Sequence, residues 1–230
     1  MPRSRYFDAR RRISEGYIEG KSAILDVDTV TFQPKGRVDA NEDRIVTDIW
    51  DLHGQRWLAL AVFDGMVFAV VGLRTAAILH MLTVLRLLGH LGTTTADYCS
   101  QTLPVAIRAR LQGYIQSIGG RLDRSNIATH ESHVTVLLKD EIEMLEKRIG
   151  TAVREVCPRP ERLTEEQARR LIEEHHDILL RAFSGTTLVF ALINVDQHFM
   201  WAAGVGDSSI GECVWRHLGG GHVAPAKYFA

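Results

Sequence analysis

Apolar and polar positions alternate in some stretches of the chain and recur at helical spacing in others. Residues 45–50 and 57–63 form short β-rich runs, and the Asp-His-Gly sequence between them favours a hairpin. Residues 186–194 and 199–205 predict a second hairpin around an Asp-Gln-His turn. One more strand is expected within residues 24–32, in a segment that otherwise looks irregular.

Helical periodicity occurs at residues 95–118, 140–156 and 164–183. In the second stretch, residues three or four apart form one apolar face: Ile142, Leu145, Ile149 and Val153. A Cys-Pro-Arg-Pro sequence ends that helix, and Thr164 with Gln167 predicts a capping box that opens the next one. Since hairpins and helices come in blocks and not as βαβ repeats, the pattern predicts an α+β fold with an antiparallel sheet.

Composition restricts the class of protein. The chain has 230 residues, 46% of them hydrophobic and 24% charged, which is typical of one globular domain. A net charge of −1 gives no broad basic surface, so neither nucleic acid nor a membrane is expected as a partner. The arginine-rich start is followed by acidic residues and by no apolar stretch typical of a secretory signal. Three scattered cysteines suit a reducing compartment, and we expect the cytoplasm or nucleus, with the mitochondrion as an alternative.

A long apolar segment, residues 66–88, interrupts this organisation. It is nearly long enough to span a bilayer, but Arg74, His80 and Arg86 fall within it and would be costly in lipid. It also follows directly on a run that reads as a buried strand. An amphipathic helix inserted in the fold is the alternative to a membrane span.

Two aspartates carry the candidate chemistry. Asp43 and Asp64 each lie at the edge of a β-rich run, where a carboxylate can point away from the end of a sheet. Carboxylate oxygens suit hard divalent ions such as Mg²⁺ or Mn²⁺. Gly65 would let a main-chain carbonyl approach a metal ion, and Arg37 could bind phosphate oxygens with two hydrogen bonds. Taken alone, an Asn-Glu-Asp sequence is more typical of a solvated loop, and an Asp-Gly sequence of a simple turn.

Four short motifs in a fixed order make a more specific pattern. They are Arg37 with Asn41-Glu42-Asp43, Val62-Phe63-Asp64-Gly65, Ser184-Gly185-Thr186-Thr187, and Gly204-Val205-Gly206-Asp207-Ser208. In this order the chain resembles the PPM (type 2C) family of metal-dependent serine/threonine protein phosphatases over about residues 37–210. The resemblance implies a β-sandwich flanked by helices, in α-β-β-α layers. It also implies hydrolysis of phosphoserine and phosphothreonine at a centre of two Mn²⁺ or Mg²⁺ ions.

The resemblance assigns roles to individual residues. Asp64 would bridge the two metal ions, Gly65 would contribute its carbonyl, and Asp43 would bind through metal-bound water. Arg37 would hold the phosphate. The Ser-Gly-Thr-Thr and Gly-Val-Gly-Asp-Ser motifs are expected to be paired core strands, which makes Asp207 structural. The expected partner is a phosphoprotein substrate, and the chain is expected to be a monomer.

The chain departs from the family pattern at two places. Met66 follows Asp64-Gly65 where the family has a histidine that can protonate the leaving alcohol. His90 resembles the displaced histidine, since joining Gly65 to His90 restores the pattern; residues 66–89 are therefore interpreted as an insertion or a retained intron. The family's later acidic motifs are also not found after Asp207. Residues 211–230 are therefore interpreted as an atypical tail, and the C-terminal part of the phosphatase domain as missing. Residues 1–36 are interpreted as an N-terminal segment before that domain.

These departures leave two functions open. One is a phosphatase with impaired turnover, and the alternative is a non-catalytic pseudophosphatase that acts as a binding module. The remaining acidic and histidine clusters on predicted helices are expected to be solvated faces and not additional metal sites: Asp140-Glu141, Glu143, Glu173-Glu174 and His175-His176.

Overall fold

The computed structural model describes residues 17–21, 24, 27–32, 41–67 and 93–211. The chain divides into two compact units, residues 1–42 and 43–230. In the first unit, strands β1 (Tyr17–Lys21) and β2 (Asp28–Phe32) pair antiparallel.

The second unit is built on a four-stranded antiparallel sheet in the order β3-β4-β7-β8. Its strands are β3 (Arg44–Leu52), β4 (Gln55–Phe63), β7 (Leu188–Asn194) and β8 (Phe199–Val205). A tight turn joins β3 to β4, where His53 and Gly54 both have positive φ and the Asp51 carboxylate accepts a hydrogen bond from the Gly54 amide. The polar loop read from the sequence thus forms the hairpin.

Two long helices, α1 (Thr93–Ser117) and α2 (Ile127–Val156), share a hydrophobic core with this sheet. Alternate strand residues contribute large side chains to the core: Trp50, Trp57, Phe63 and Phe190 are fully buried. Leu103, Ile107 and Leu111 of α1 recur at helical spacing and are also fully buried. Burial of this apolar surface is the main force that holds the helices against the sheet.

A third helix, α3 (Glu165–Phe183), follows a short 3₁₀ helix (Pro160–Arg162). The predicted capping box is confirmed: the Thr164 hydroxyl accepts a 3.3 Å hydrogen bond from the Gln167 amide, and the Gln167 side chain accepts one of 2.9 Å from the Thr164 amide. The chain then enters β6 (Ser184–Thr186), which pairs antiparallel with β5 (Gly65–Val67).

Several predicted boundaries were wrong. Helix α2 begins at residue 127 and not at 140. β-Branched residues lower the intrinsic helix propensity of residues 127–139, but Val134, Leu137 and Leu138 are buried against the core. This burial stabilises the earlier turns of the helix. The strand expected within residues 24–32 begins at Asp28, and β1 was not predicted at all.

One of the clusters expected to be solvated is also different. Glu141 is buried, with 8% of its surface exposed, and accepts a 3.0 Å hydrogen bond from Arg110 on α1. The same guanidinium binds Asp140 at 2.9 Å. The two carboxylates raise the pKa of Arg110 above its ordinary value, and the largest cause is the hydrogen bond that Arg110 donates to Asp140. This interhelical ion pair was not visible in the helical pattern of α2.

The mixture of helices with an antiparallel sheet confirms the α+β prediction. A second large sheet that would complete the sandwich is not among the described residues, so that part stays a prediction. Of the helices in the described part of the chain, none combines the length and apolarity needed to cross a membrane.

Candidate functional site

The candidate site lies where β3 begins and β4 ends. Arg44 pairs with Phe63 at the last position of the β3–β4 ladder. Continuing this register by one residue places Asp43 opposite Asp64. Side chains at opposed positions of an antiparallel pair are neighbours, with Cβ atoms about 5 Å apart. On this extended register the two aspartates lie at the same end of the sheet, Asp64 exposed and Asp43 half-buried.

The main chain of Asp64 is held by the neighbouring Thr186 and Thr187. The Asp64 carbonyl accepts a 2.9 Å hydrogen bond from the amide of Thr187 and a 3.0 Å hydrogen bond from the hydroxyl of Thr186. Gly65 is buried and pairs with Thr186 as β5 begins. The Asp-Gly and Gly-Thr-Thr motifs are thus in direct contact, which fixes the backbone from which the Asp64 carboxylate projects.

An arginine holds the main chain of Asp43. Arg44 donates a 2.8 Å hydrogen bond to the Asp43 carbonyl, and its guanidinium also forms a two-point ion pair with Asp97 on α1. Such a bidentate pair fixes orientation as well as distance. Because Asp97 lies in the second turn of α1, the beginning of that helix is tied to the strand end that carries Asp43.

The downstream motif supports the same end of the sheet. The hydroxyls of Thr187 and Ser208 are hydrogen-bonded to each other. Between them, Gly206 has a φ of +91°, and a Cβ at this position would lie 2.9 Å from Cγ2 of Thr187. Only glycine fits this backbone and this close approach. The two motifs are not paired strands, as the sequence had suggested: Ser184–Thr186 pair with β5, whereas Gly204 and Val205 pair with β7. They meet through the Thr187–Ser208 contact, and Asp207 is exposed.

Helices α1 and α3 meet beside these strands. The hydroxyl of Thr95 donates to the Arg181 carbonyl at 2.7 Å and lies 3.0 Å from the Ser184 hydroxyl. The Arg181 guanidinium lies 3.8 Å from the ring centroid of Tyr98, a cation–π contact. Burial raises the pKa of the nearby Cys99 thiol to about 12, despite the opposing effect of Arg181. Cys99 is therefore a structural thiol and not a nucleophile.

The other predicted site residues fall elsewhere. Arg37 and His90 lie outside the described residues, as do most of residues 66–89 and all but the first residue of 211–230. Met66, at the position where the resemblance would predict a histidine, pairs with Gly185 in the β5–β6 ladder.

The donor set at the strand ends agrees in kind with a hard divalent cation. Two carboxylates on adjoining chain segments, close to buried Gly65, are the oxygen ligands that Mg²⁺ and Mn²⁺ prefer. Within the described ranges, no three His, Cys, Asp or Glu side chains gather into a metal-binding group. Asp43 and Asp64 are thus two candidate ligands, and water and other groups would supply the remaining ligands of a bound cation.

Sequence reasoning missed the residues that position this pair. Arg44 directly follows Asp43, but no role was predicted for it, because its partner Asp97 is 53 positions away. The Thr186 hydroxyl was part of a motif, yet its bond to the carbonyl of Asp64 spans 122 positions. Neither contact leaves a periodic signal in the sequence.

Comparison of the whole chain with protein-family models, with curated proteins and with solved structures finds no match. The geometry of the site and the motif resemblance therefore carry the functional argument.

Proposed function

We propose that this chain is a metal-dependent protein phosphatase similar to the PPM (type 2C) family, which hydrolyses phosphoserine and phosphothreonine with Mn²⁺ or Mg²⁺. The observation that carries the proposal is the register that sets Asp43 opposite Asp64, together with the bonds of Thr186 and Thr187 to Asp64. The two aspartates flank one hairpin, and the Thr186 contact adds a motif that lies 122 positions from Asp64 in the sequence.

In this proposal the residues divide into those that bind and those that position. Asp64 and Asp43 would hold the cations, with the Gly65 carbonyl as an added ligand. When bound, the cations would supply an activated water and neutralise charge on the phosphoryl group. Arg37 would orient the phosphate through its guanidinium. Thr187 and Arg44 would act as positioning residues, because they bind the main chain of the two aspartates and not the substrate.

The leaving alcohol needs a proton, and His90 is the proposed donor. Residues 66–89 separate it from Asp64-Gly65 along the chain. Because small displacements of a catalytic group can cost about 10²-fold in rate, we propose slow turnover for this chain. Deletion of residues 66–89, which joins Gly65 to His90, should raise the rate of phosphate release.

Mn²⁺ binding tests the site separately from turnover. We expect titration of the chain with Mn²⁺, followed by the loss of the electron paramagnetic resonance signal of the free ion, to show saturable binding. Asp64→Asn and Asp43→Asn should each weaken that binding by about tenfold or more, since each removes a ligand charge. Asp177→Asn is the matched control, because Asp177 is exposed on α3.

Unchanged Mn²⁺ binding in both folded aspartate variants would overturn the proposed site. Binding that the variants abolish, without hydrolysis of any phosphopeptide, would instead assign the chain to the non-catalytic alternative.

A further inference from the structure

A groove runs between helix α2 and strand β8, and neither Asp43 nor Asp64 lines it. Its volume is about 440 Å³, and its apolar lining includes Leu138 and Ile142 of α2 with Trp201 and Val205 of β8. Val205 is 45% exposed although it is a large apolar residue. The groove therefore presents apolar surface next to the outer edge of the sheet.

Strand β8 is an edge strand within the described residues, where it pairs only with β7. Its sequence, Phe-Met-Trp-Ala-Ala-Gly-Val, has no charge and no proline. Edge strands of monomeric proteins are commonly protected by lysine, proline or a bulge, because their unpaired amides and carbonyls can pair with another strand. The described part of β8 has none of these charged or proline protections.

The charged residues along the groove have opposite signs at its two ends. Lys139 is the first charged residue of the α2 lining, one turn after Thr135, and Glu146 is the last, two turns further along the helix. Glu143 lies between them, 3.9 Å from Lys139 and 3.7 Å from Lys147. Glu146 has no ion-pair partner among the described residues. A surface with Lys at one end and Glu at the other is complementary to itself after a half-turn.

We propose that this face binds a second copy of the chain, with the two β8 strands paired antiparallel about a two-fold axis. The two-fold axis would make β8 and α2 of one copy run antiparallel to β8 and α2 of the other. Lys139 of each copy would then face Glu146 of the other. An isologous contact of this kind needs only one self-complementary patch. The self-complementary charges favour a second copy over an unrelated peptide strand, for which no such pairing of the two ends is required.

The contact is small, since it comprises one seven-residue strand and one helix flank. Interfaces below about 1,200 Å² of total buried area are typical of weak association. The dimer should therefore form in the micromolar range and not be obligate. This proposal differs from the monomer expected from the sequence, and it does not depend on the proposed phosphatase activity.

Sedimentation equilibrium over a wide range of protein concentration measures the dissociation constant. We expect the unmodified chain to form dimers reversibly. Lys139→Glu and Glu146→Lys should each weaken dimerisation by about tenfold or more, because each places like charges together twice across the axis. The double variant Lys139→Glu/Glu146→Lys should restore association, since it exchanges the signs at both ends.

Arg148→Glu and Glu155→Lys are the matched controls. They make the same changes of charge at exposed positions of α2 that do not line the groove, and should leave the dissociation constant unchanged. A chain that stays monomeric at all concentrations would overturn the proposal. The proposal would also be overturned if the groove variants and the control variants changed the dissociation constant equally. The same holds if the double variant is folded by circular dichroism but does not recover association.

Discussion

The amide of Thr187 donates a 2.9 Å hydrogen bond to the carbonyl of Asp64, although the two residues are far apart in the sequence. This bond lies at the point where β4 ends and the chain turns into β5. It joins the motif that carries the candidate metal ligand to the motif that leads into β7. The position of the Asp64 carboxylate therefore depends on the packing of residues 184–208.

Gly206→Ala should disturb this packing directly. The added Cβ would lie 2.9 Å from Cγ2 of Thr187, and the φ of +91° disfavours any residue with a side chain. We expect the free energy of unfolding to fall by about 1–3 kcal/mol. Urea unfolding followed by circular dichroism measures this change.

Gly113→Ala is the matched control. Gly113 lies within α1, and nothing lies within 4 Å of an added Cβ there. The same substitution should stabilise the chain by about 0.5–1 kcal/mol, because alanine is the better helix former. Equal stability of the Gly206→Ala variant and the unmodified chain would show that Gly206 is not constrained as described.

The ion pair between Arg110 and Glu141 should contribute to the packing of α1 against α2. Arg110→Ala leaves the buried Glu141 carboxylate without its 3.0 Å partner. Since Arg110 itself is partly solvated, we expect a moderate loss of about 1–2 kcal/mol in the free energy of unfolding. The double variant Arg110→Ala/Glu141→Gln should lose less than the two single variants together.

Arg169→Ala provides the comparison for a pair in solvent. Arg169 binds Glu165 at 2.8 Å on the exposed face of α3. Its removal should cost no more than about 0.5 kcal/mol in a parallel urea titration. Similar losses of unfolding free energy in the Arg169→Ala and Arg110→Ala variants would show that burial of Glu141 does not strengthen its ion pair.

Cys99 should make stability depend on pH in alkaline solution. In the folded chain, burial raises the pKa of its thiol from an ordinary value of 9.0 to about 12. The folded state therefore holds the proton more tightly than the unfolded state. This contribution is fully present below about pH 9 and is lost as the pH rises towards 12. Urea unfolding at several pH values should show that loss in the unmodified chain.

Other groups also titrate in this range, so the comparison is with Cys99→Ala. The difference in unfolding free energy between the two chains should shrink as the pH rises above about 9. A difference that stays constant across the range would contradict the assignment of Cys99 as a buried neutral thiol.

Local patterns predicted much of this fold because they act over a few residues. The turn at His53 and Gly54 and the capping box at Thr164 depend on neighbouring side chains, and both formed as expected. The early start of α2 was not predictable from local propensity, since it depends on the burial of Val134 and Leu137 against the core. Tertiary packing overrides propensity at such positions.

The motifs identified Asp43 and Asp64 as candidate ligands, and extending the β3–β4 register by one residue places them opposite each other. Their role as a metal site stays a prediction. Their anchors were missed because Arg44 and Thr186 find their partners through the tertiary fold and not through nearby residues. Sequence patterns show which residues have suitable chemistry, whereas contacts across the sheet determine which of them meet.

The most direct test measures the release of phosphate from a phosphothreonine peptide at increasing concentrations of Mn²⁺. The unmodified chain is compared with the Asp64→Asn variant, and Asp177→Asn is the control. The account predicts slow release that requires Mn²⁺, falls by about 10²-fold or more in Asp64→Asn, and is unchanged in the control. Release that does not require Mn²⁺, equal release by the Asp64→Asn variant, or no release by the unmodified chain would contradict it.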